Sequence, residues 1–305
     1  MHIYNLKTLK FEHNSVFREF LEKSEPMWGM YFPLLYSNRK NVLWDIINGS
    51  LCVFQKGIYS KLNEYQKNWS LAFLPVPFNK AAFDECFLIL NDLNKSEPVN
   101  VYNINDIDSA GAALNTHYGA NFKSDGKEYI YNAHTLKGLQ GAEYKKIRHY
   151  INHFEKASSP KIERYAPSMY RECLKLFNEW KERKLEESNT ILYKEHTKEM
   201  FNELMMFEDM FGIVVRINGA IAAFTLGGIL SDARQTATCI IRKTVPEIRG
   251  LGEYIDWNFY NYLPEKIKIV NDGDDCMSPG LAEYKMKWRP ENVQPIFKAK
   301  ITAIK

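Results

Sequence analysis

Arg249-Gly250-Leu251-Gly252 stands where an extended, partly apolar run, 238–242, gives way to a helix-period pattern that begins at Leu251. Two glycines at such a turn suit a loop whose backbone N–H groups face an anion. Glycine tolerates positive φ and has no Cβ to keep a phosphate from the main chain. The helix behind the loop adds the positive end of its dipole. The same pattern also describes a glycine-rich strand-to-helix turn that holds nothing, and the four residues alone do not separate the two.

A second stretch with chemical capacity is 141–156, whose spacing predicts one helix. Tyr144, Ile147, Ile151 and Phe154 form an apolar stripe; Lys145, His149, Asn152 and Lys156 fall on the opposite face, with Lys146, Arg148 and His153 beside them. Between residues 137 and 164 there are seven Lys or Arg against three Glu, an excess larger than the whole chain's net charge of +3. Such a face could follow the phosphates of tRNA or of an anionic lipid surface, although a solvated helix face is the commoner fate of a charge run. His149 and His153 have a metal-capable i, i+4 spacing. No Glu follows His149 and no third ligand is evident, so no metal is expected.

The elements that must position these residues come from two similar halves. At 305 residues with 45% hydrophobic and 14% aromatic content, the chain can bury large cores and suits two domains, while +3 is too small to mark an obligate nucleic-acid binder. The five cysteines are scattered and form no C-x-x-C pair, which predicts reduced, buried thiols in a cytoplasmic protein. No run approaches the ~18 apolar residues of a membrane span, and 1–10 has no apolar signal core. In the first half, a helix is expected at 13–23, an irregular aromatic stretch at 28–36, and strands at 41–47 and 51–55 joined through Asn48-Gly49. A third strand at 69–76, a helix at 81–94, a strand at 99–104, a helix at 106–117 and a short strand at 128–132 follow. The second half has helices at 167–187 and 195–207, a hairpin through Asn218-Gly219, a strand at 236–243, a helix at 251–263, a strand at 266–270, a helix at 279–288 and a strand at 293–301. The segments 47–54 and 217–224 resemble each other at an offset of 170 residues, and the element order after them agrees. Where the second copy has Arg249-Gly250-Leu251-Gly252, the first has Leu74-Pro75-Val76-Pro77-Phe78-Asn79-Lys80, without glycine and with two residues that lack an N–H. An anion site therefore belongs to the second copy.

Val245-Pro246-Glu247-Ile248-Arg249-Gly250-Leu251-Gly252 resembles the V-x-P-x-x-R-G-x-G pyrophosphate loop of the GNAT acyltransferase superfamily, with Glu247 where Gln or Arg is commonest. Two further stretches resemble a narrower family. Residues 144–154 are similar to a K-K-R-N-H-I-N-x-F linker helix, with Ile147 in place of a basic residue. Val270-Asn271-Asp272-Gly273-Asp274-Asp275, with Pro279-Gly280-Leu281, Lys285 and Arg289-Pro290, is similar to a V-N-R-E-x-D-L-G-x-x-G-L-R-x-x-K-x-S-Y-x-P ending, with Met277 where glycine is usual. These belong to the phosphatidylglycerol lysyltransferase C-terminal-like family, whose soluble stand-alone bacterial members share tandem GNAT-like domains with the Fem peptidoglycan aminoacyltransferases.

The resemblance implies an α/β (α+β) chain of two tandem GNAT-like domains, each a mixed central sheet flanked by helices: 1–135, a basic linker helix at 136–160, and 161–305 with the donor site. It implies transfer of an acyl or aminoacyl group, from acetyl-CoA, another acyl-CoA or an aminoacyl-tRNA, to an amine or hydroxyl on a small molecule or lipid headgroup. Arg249, Gly250, Leu251 and Gly252 would hold the donor. Lys145, Lys146, Arg148, Asn271, Asp274 and Lys285 would contact substrate or tRNA. Tyr284 matches the family's general acid, and Asp275 and Glu253 are candidate bases. Each has a plainer role available: packing beside Trp288 for Tyr284, loop solvation or helix capping for Asp274 and Asp275, the helix dipole for Glu253, solvent exposure for Lys285. A chain that keeps this fold as a non-catalytic binding module is the alternative.

Overall fold

The computed structural model describes residues 5–56, 58–59, 65–95, 98–105, 112–187, 201 and 206–301. The expected helix at 195–207, and the start of that at 106–117, lie largely outside them. The chain divides into two compact units. One comprises Met1–Glu128, Asp274–Ala282 and Val293–Lys305; the other comprises Tyr129–Gly273 and Glu283–Asn292.

In the first unit the strands run in the order Lys7–Thr8, Val42–Ile47, Ser50–Gln55, Ser70–Leu71, Val99–Ile104 and Asn292–Ile301. Neighbours are antiparallel except Ser70–Leu71 and Val99–Ile104, which are parallel. A parallel pair needs a crossover, and helix Lys80–Leu93 supplies it. Its Phe83, Cys86 and Leu90 are buried with Cys52, Phe54, Leu71 and Val101. Asn48 and Gly49 make the expected tight turn, with φ of 48° and 80°.

Three local expectations differ from the structure. The strand expected at 69–76 is only Ser70–Leu71 plus a bridge at Val76, because Pro75 and Pro77 have no N–H for a ladder. The stretch expected to be irregular holds a helix, Phe32–Ser37, with Pro33 in its first turn, where a missing N–H costs nothing. The strand expected at 128–132 spans Asn121–Asn132. Its polar letters hid it: Glu128 is buried and accepts the Trp28 N–H at 3.0 Å, and Asp125 lies 3.8 Å from Lys298 Nζ.

In the second unit Ile269–Asp274, Thr236–Thr244, Ala220–Ser231, Met210–Ile217 and Lys161–Arg164 lie side by side. Thr236–Thr244 and Ile269–Asp274 are parallel and the other pairs antiparallel. Asn218 and Gly219 repeat the turn geometry of the first unit, with φ of 50° and 83°. The crossover is helix Leu251–Tyr262, which buries Leu251, Tyr254, Ile255, Phe259 and Tyr260; Phe259 stacks on Phe211 at 5.0 Å. The linker helix, Lys145–Ser158, buries Ile147, Ile151 and Phe154 as its stripe predicts, and the Phe154 ring lies 5.0 Å from that of Tyr254. Each unit is thus a mixed sheet flanked by helices. The glycine loop is the strand-to-helix turn of the second unit's parallel crossover.

Candidate functional site

Gly250 is the N-cap of helix Leu251–Tyr262, with φ of +85° and no side chain capping the first turn. A Cβ at Gly250 would lie 2.6 Å from the Tyr150 carbonyl oxygen and 3.0 Å from Phe154 Cβ. The linker helix therefore needs this glycine whether or not a ligand does. A Cβ at Gly252 would lie 3.3 Å from the Tyr284 hydroxyl. The two glycines mark where two neighbouring helices come nearest the loop. The equivalent helix of the first unit is closed differently: Asn79 Oδ1 accepts the N–H groups of Ala81 at 2.8 Å and Ala82 at 3.3 Å. One helix start is capped by its own side chain, and the other has no side-chain cap.

Positive charge gathers beside this open turn. Arg249 donates from Nη2 to the Tyr150 hydroxyl at 3.3 Å, and its guanidinium lies 4.9 Å from the Tyr150 ring centre. Lys287 Nζ lies 4.5 Å and Lys146 Nζ 5.9 Å from the same ring. The Arg249 hydrogen bond, with the three cations, holds the Tyr150 phenol below its ordinary range. Lys287 also pairs with Glu253 in the helix's first turn. Three cations against one carboxylate leave two positive charges at the loop. Glu247, the departure from the loop pattern, is neutralised by Arg183.

Behind the loop lies a buried charge network. The Tyr284 hydroxyl donates to Asp256 Oδ2 at 2.7 Å, and the other carboxylate oxygen pairs with Arg242 Nε. Arg242 Nη2 donates to Asp272 Oδ1 at 3.1 Å, and Lys285 Nζ donates to Asp272 Oδ2 at 3.0 Å. Burial pushes the Asp256 carboxyl up to about 7 against the pull of Arg242, with Asp272 and Glu253 adding to the rise. Asp272 is equally dry, but Lys285 and Arg242 outweigh its burial and hold it below the usual carboxylate range. Burial and the Asp256 charge raise the Tyr284 phenol well above its ordinary value.

Of the residues singled out in the sequence, Tyr284, Glu253, Arg249, Gly250, Leu251, Gly252 and Lys146 meet at one place. Leu251 contributes packing, being fully buried. Lys145 is exposed on the linker helix. Arg148 Nη1 donates to the carbonyls of Gly141, at 2.8 Å, and Leu139, closing the turn before the linker helix. Lys285 is 4% exposed and its ammonium donates to Asp272. Asn271 is wholly buried, and its Oδ1 accepts the Gly273 N–H at 3.0 Å. Asp274 and Asp275 belong to the first unit and accept the N–H groups of Cys276 at 2.8 Å and Met277 at 3.0 Å, bonds within the turn that precedes helix Pro279–Met286. Tyr150, Lys287, Asp256 and Arg242 were not singled out. Asp256 had a signal, a carboxylate flanked by Ile255 and Trp257, whereas Arg242 stands beside Lys243 at the end of an apolar run. Among the described residues no cluster of His, Cys, Asp or Glu could hold a metal, and no helix is long and apolar enough to cross a membrane.

Solved structures show the same architecture. A conserved protein of unknown function from Bacteroides thetaiotaomicron matches with a TM-score of 0.79 at 17% identity, over 98% of this chain and 100% of that one. L-PGS from Bacillus licheniformis matches with a TM-score of 0.67 at 14% identity, over 95% and 92%. A tandem GNAT protein from the clavulanic acid biosynthesis pathway matches with a TM-score of 0.55 at 9% identity, over 93% of each chain. The fold is therefore GNAT-like. Residues 95–300 match the family model described as phosphatidylglycerol lysyltransferase, C-terminal, and the chain belongs to that family. No curated protein sequence matches it.

Proposed function

We propose that this chain is an aminoacyltransferase that takes an aminoacyl group from aminoacyl-tRNA and passes it to an amine or hydroxyl on a small molecule or lipid headgroup. Family and fold suggest aminoacyl or acyl transfer. The observation that carries the reading is the convergence, at one helix start without a side-chain cap, of Arg249, Lys146 and Lys287 around Tyr150, with the Tyr284 hydroxyl beside Gly252. Phosphates of the donor would lie against Arg249, Lys146, Lys287 and the first-turn N–H groups, with the ester beside Tyr284. A second reading keeps the same site and replaces the donor by an acyl-CoA, whose diphosphate suits the Gly250–Gly252 turn.

Direct binding separates the two. Filter binding of lysyl-tRNA and bulk tRNA, alongside calorimetry with acetyl-CoA and coenzyme A, is expected to show tRNA binding that weakens with salt and is lost in Arg249→Glu. Coenzyme A binding without tRNA binding would move the donor to acyl-CoA. Binding of neither would remove the donor site and leave a non-catalytic module.

A further inference from the structure

The family resemblance gives Tyr284 the role of proton donor to the leaving group. Its geometry places an acceptor step before that donation. A phenol has one proton and two lone pairs, and that proton is directed at Asp256 Oδ2, 2.7 Å away. What remains for a reactant is an acceptor, and the oxygen that bears it lies at the first turn of the loop helix, beside Gly252. Asp256 is 1% exposed and cannot itself touch a substrate. Its second oxygen is ion-paired with Arg242, which pairs in turn with Asp272, itself paired with Lys285.

We propose that Tyr284 and Asp256 form a proton relay: Tyr284 accepts the proton of the attacking amine or hydroxyl as it gives its own to Asp256, a positioning residue that acts through Tyr284. The proposal rests on the transferase reading above. As the new C–N or C–O bond forms, the donor's C–O bond, or C–S bond for a thioester, breaks. The nucleophile's proton goes to Tyr284 Oη and the tyrosine's proton to Asp256 Oδ2. The reverse transfer delivers one proton to the departing oxygen or sulfur and restores both groups.

The surroundings suit the task. Arg242 favours the Asp256 carboxylate; Asp272 from the neighbouring strand and Glu253 from the same helix oppose it. Tyr260, Tyr131 and Cys239 border the network, and burial holds all three in their neutral forms. Lys285 and Lys287 face Asp272 and Glu253 and so act on Asp256 at one remove. A carboxyl poised near neutrality matches the requirement for a base at ordinary pH. The tyrosine cannot hold the charge alone, because its phenol is raised.

The test uses the full chain, Tyr284→Phe, Asp256→Asn and the double variant. One readout is the protonated-carboxyl infrared band as a function of pH. The other is transfer of lysine from lysyl-tRNA to phosphatidylglycerol vesicles, and of acetyl from acetyl-CoA to primary amines. The expected result is a band that titrates near neutrality, is missing in Asp256→Asn and shifts to higher pH in Tyr284→Phe. Transfer should fall about 100-fold in each single variant and no further in the double one. Wild-type rate and pH profile retained in Asp256→Asn would overturn the relay and leave the transferase reading standing. Absence of transfer by the wild-type chain would overturn the transferase reading and the relay's catalytic role, while the band reports the hydrogen-bonded pair independently. If Asp256→Asn does not fold, an unshifted band in Tyr284→Phe overturns the relay.

Discussion

At the level of single residues, two backbone positions are decisive. Gly250 meets both a turn with positive φ and a neighbouring carbonyl, so Gly250→Ala should cost about 2–4 kcal/mol in urea denaturation, combining left-handed strain with overpacking. Met277 is the opposite case: it stands where the resembling family has glycine, and its φ of 55° is the reason. Met277→Gly should stabilise the chain by roughly 0.5–1 kcal/mol, the strain relieved less the extra freedom of the unfolded chain; a loss of stability would show that this loop bears no such strain. Asp256 gives a pH dependence. Its folded-state pKa, about 7, lies above the unfolded value, so its contribution is full below the unfolded pKa and is lost as pH rises through the folded one. Stability measured against Asp256→Asn should therefore fall from acid pH towards neutrality, and a flat difference would contradict the raised pKa. These residues were unequally legible. The glycines could be read because their conformational role is local. The partners of Tyr284 could not, because Asp256 and Arg242 sit on other elements and a charge in the sequence does not say what it meets.

At the level of elements, the two crossover helices begin in contrasting ways. Asn79→Ala should cost about 1 kcal/mol, because it removes the acceptor for two first-turn N–H groups. Lys285→Met should cost about 3–5 kcal/mol, since Asp272 would keep only Arg242 in a dry site; a near-neutral result would mean that the pair is dispensable to folding. Elements with strong periodicity were readable from sequence. The linker helix buries the stripe its spacing marks, and both Asn-Gly hairpins form with the expected turn conformations. Strand Asn121–Asn132 is hard to read because buried carboxylates break the apolar alternation, and the apolar run at 69–76 yields only Ser70–Leu71 because Pro75 and Pro77 break the ladder.

For the molecule as a whole, net charge sets the scale of any nucleic-acid affinity. With +3 overall and three cations at the loop, the logarithm of tRNA affinity against the logarithm of salt should have a slope of about −2 to −3. Arg249→Ala and Lys146→Ala should each make that slope shallower by roughly one. The repeated element order was visible in the sequence because each copy carries the same hairpin. The placement of the last strand was not, since Asn292–Ile301 pairs with Val99–Ile104, far earlier in the chain, and no local pattern names a distant partner. The contact between Gly250 and the Tyr150 carbonyl has one more consequence. Loop and linker helix approach each other with no room for a Cβ, so they are expected to open together in hydrogen exchange. A ligand held at the loop should then slow amide exchange at Ile151–Phe154, several residues from any group it touches, and the size of that protection would report its binding free energy.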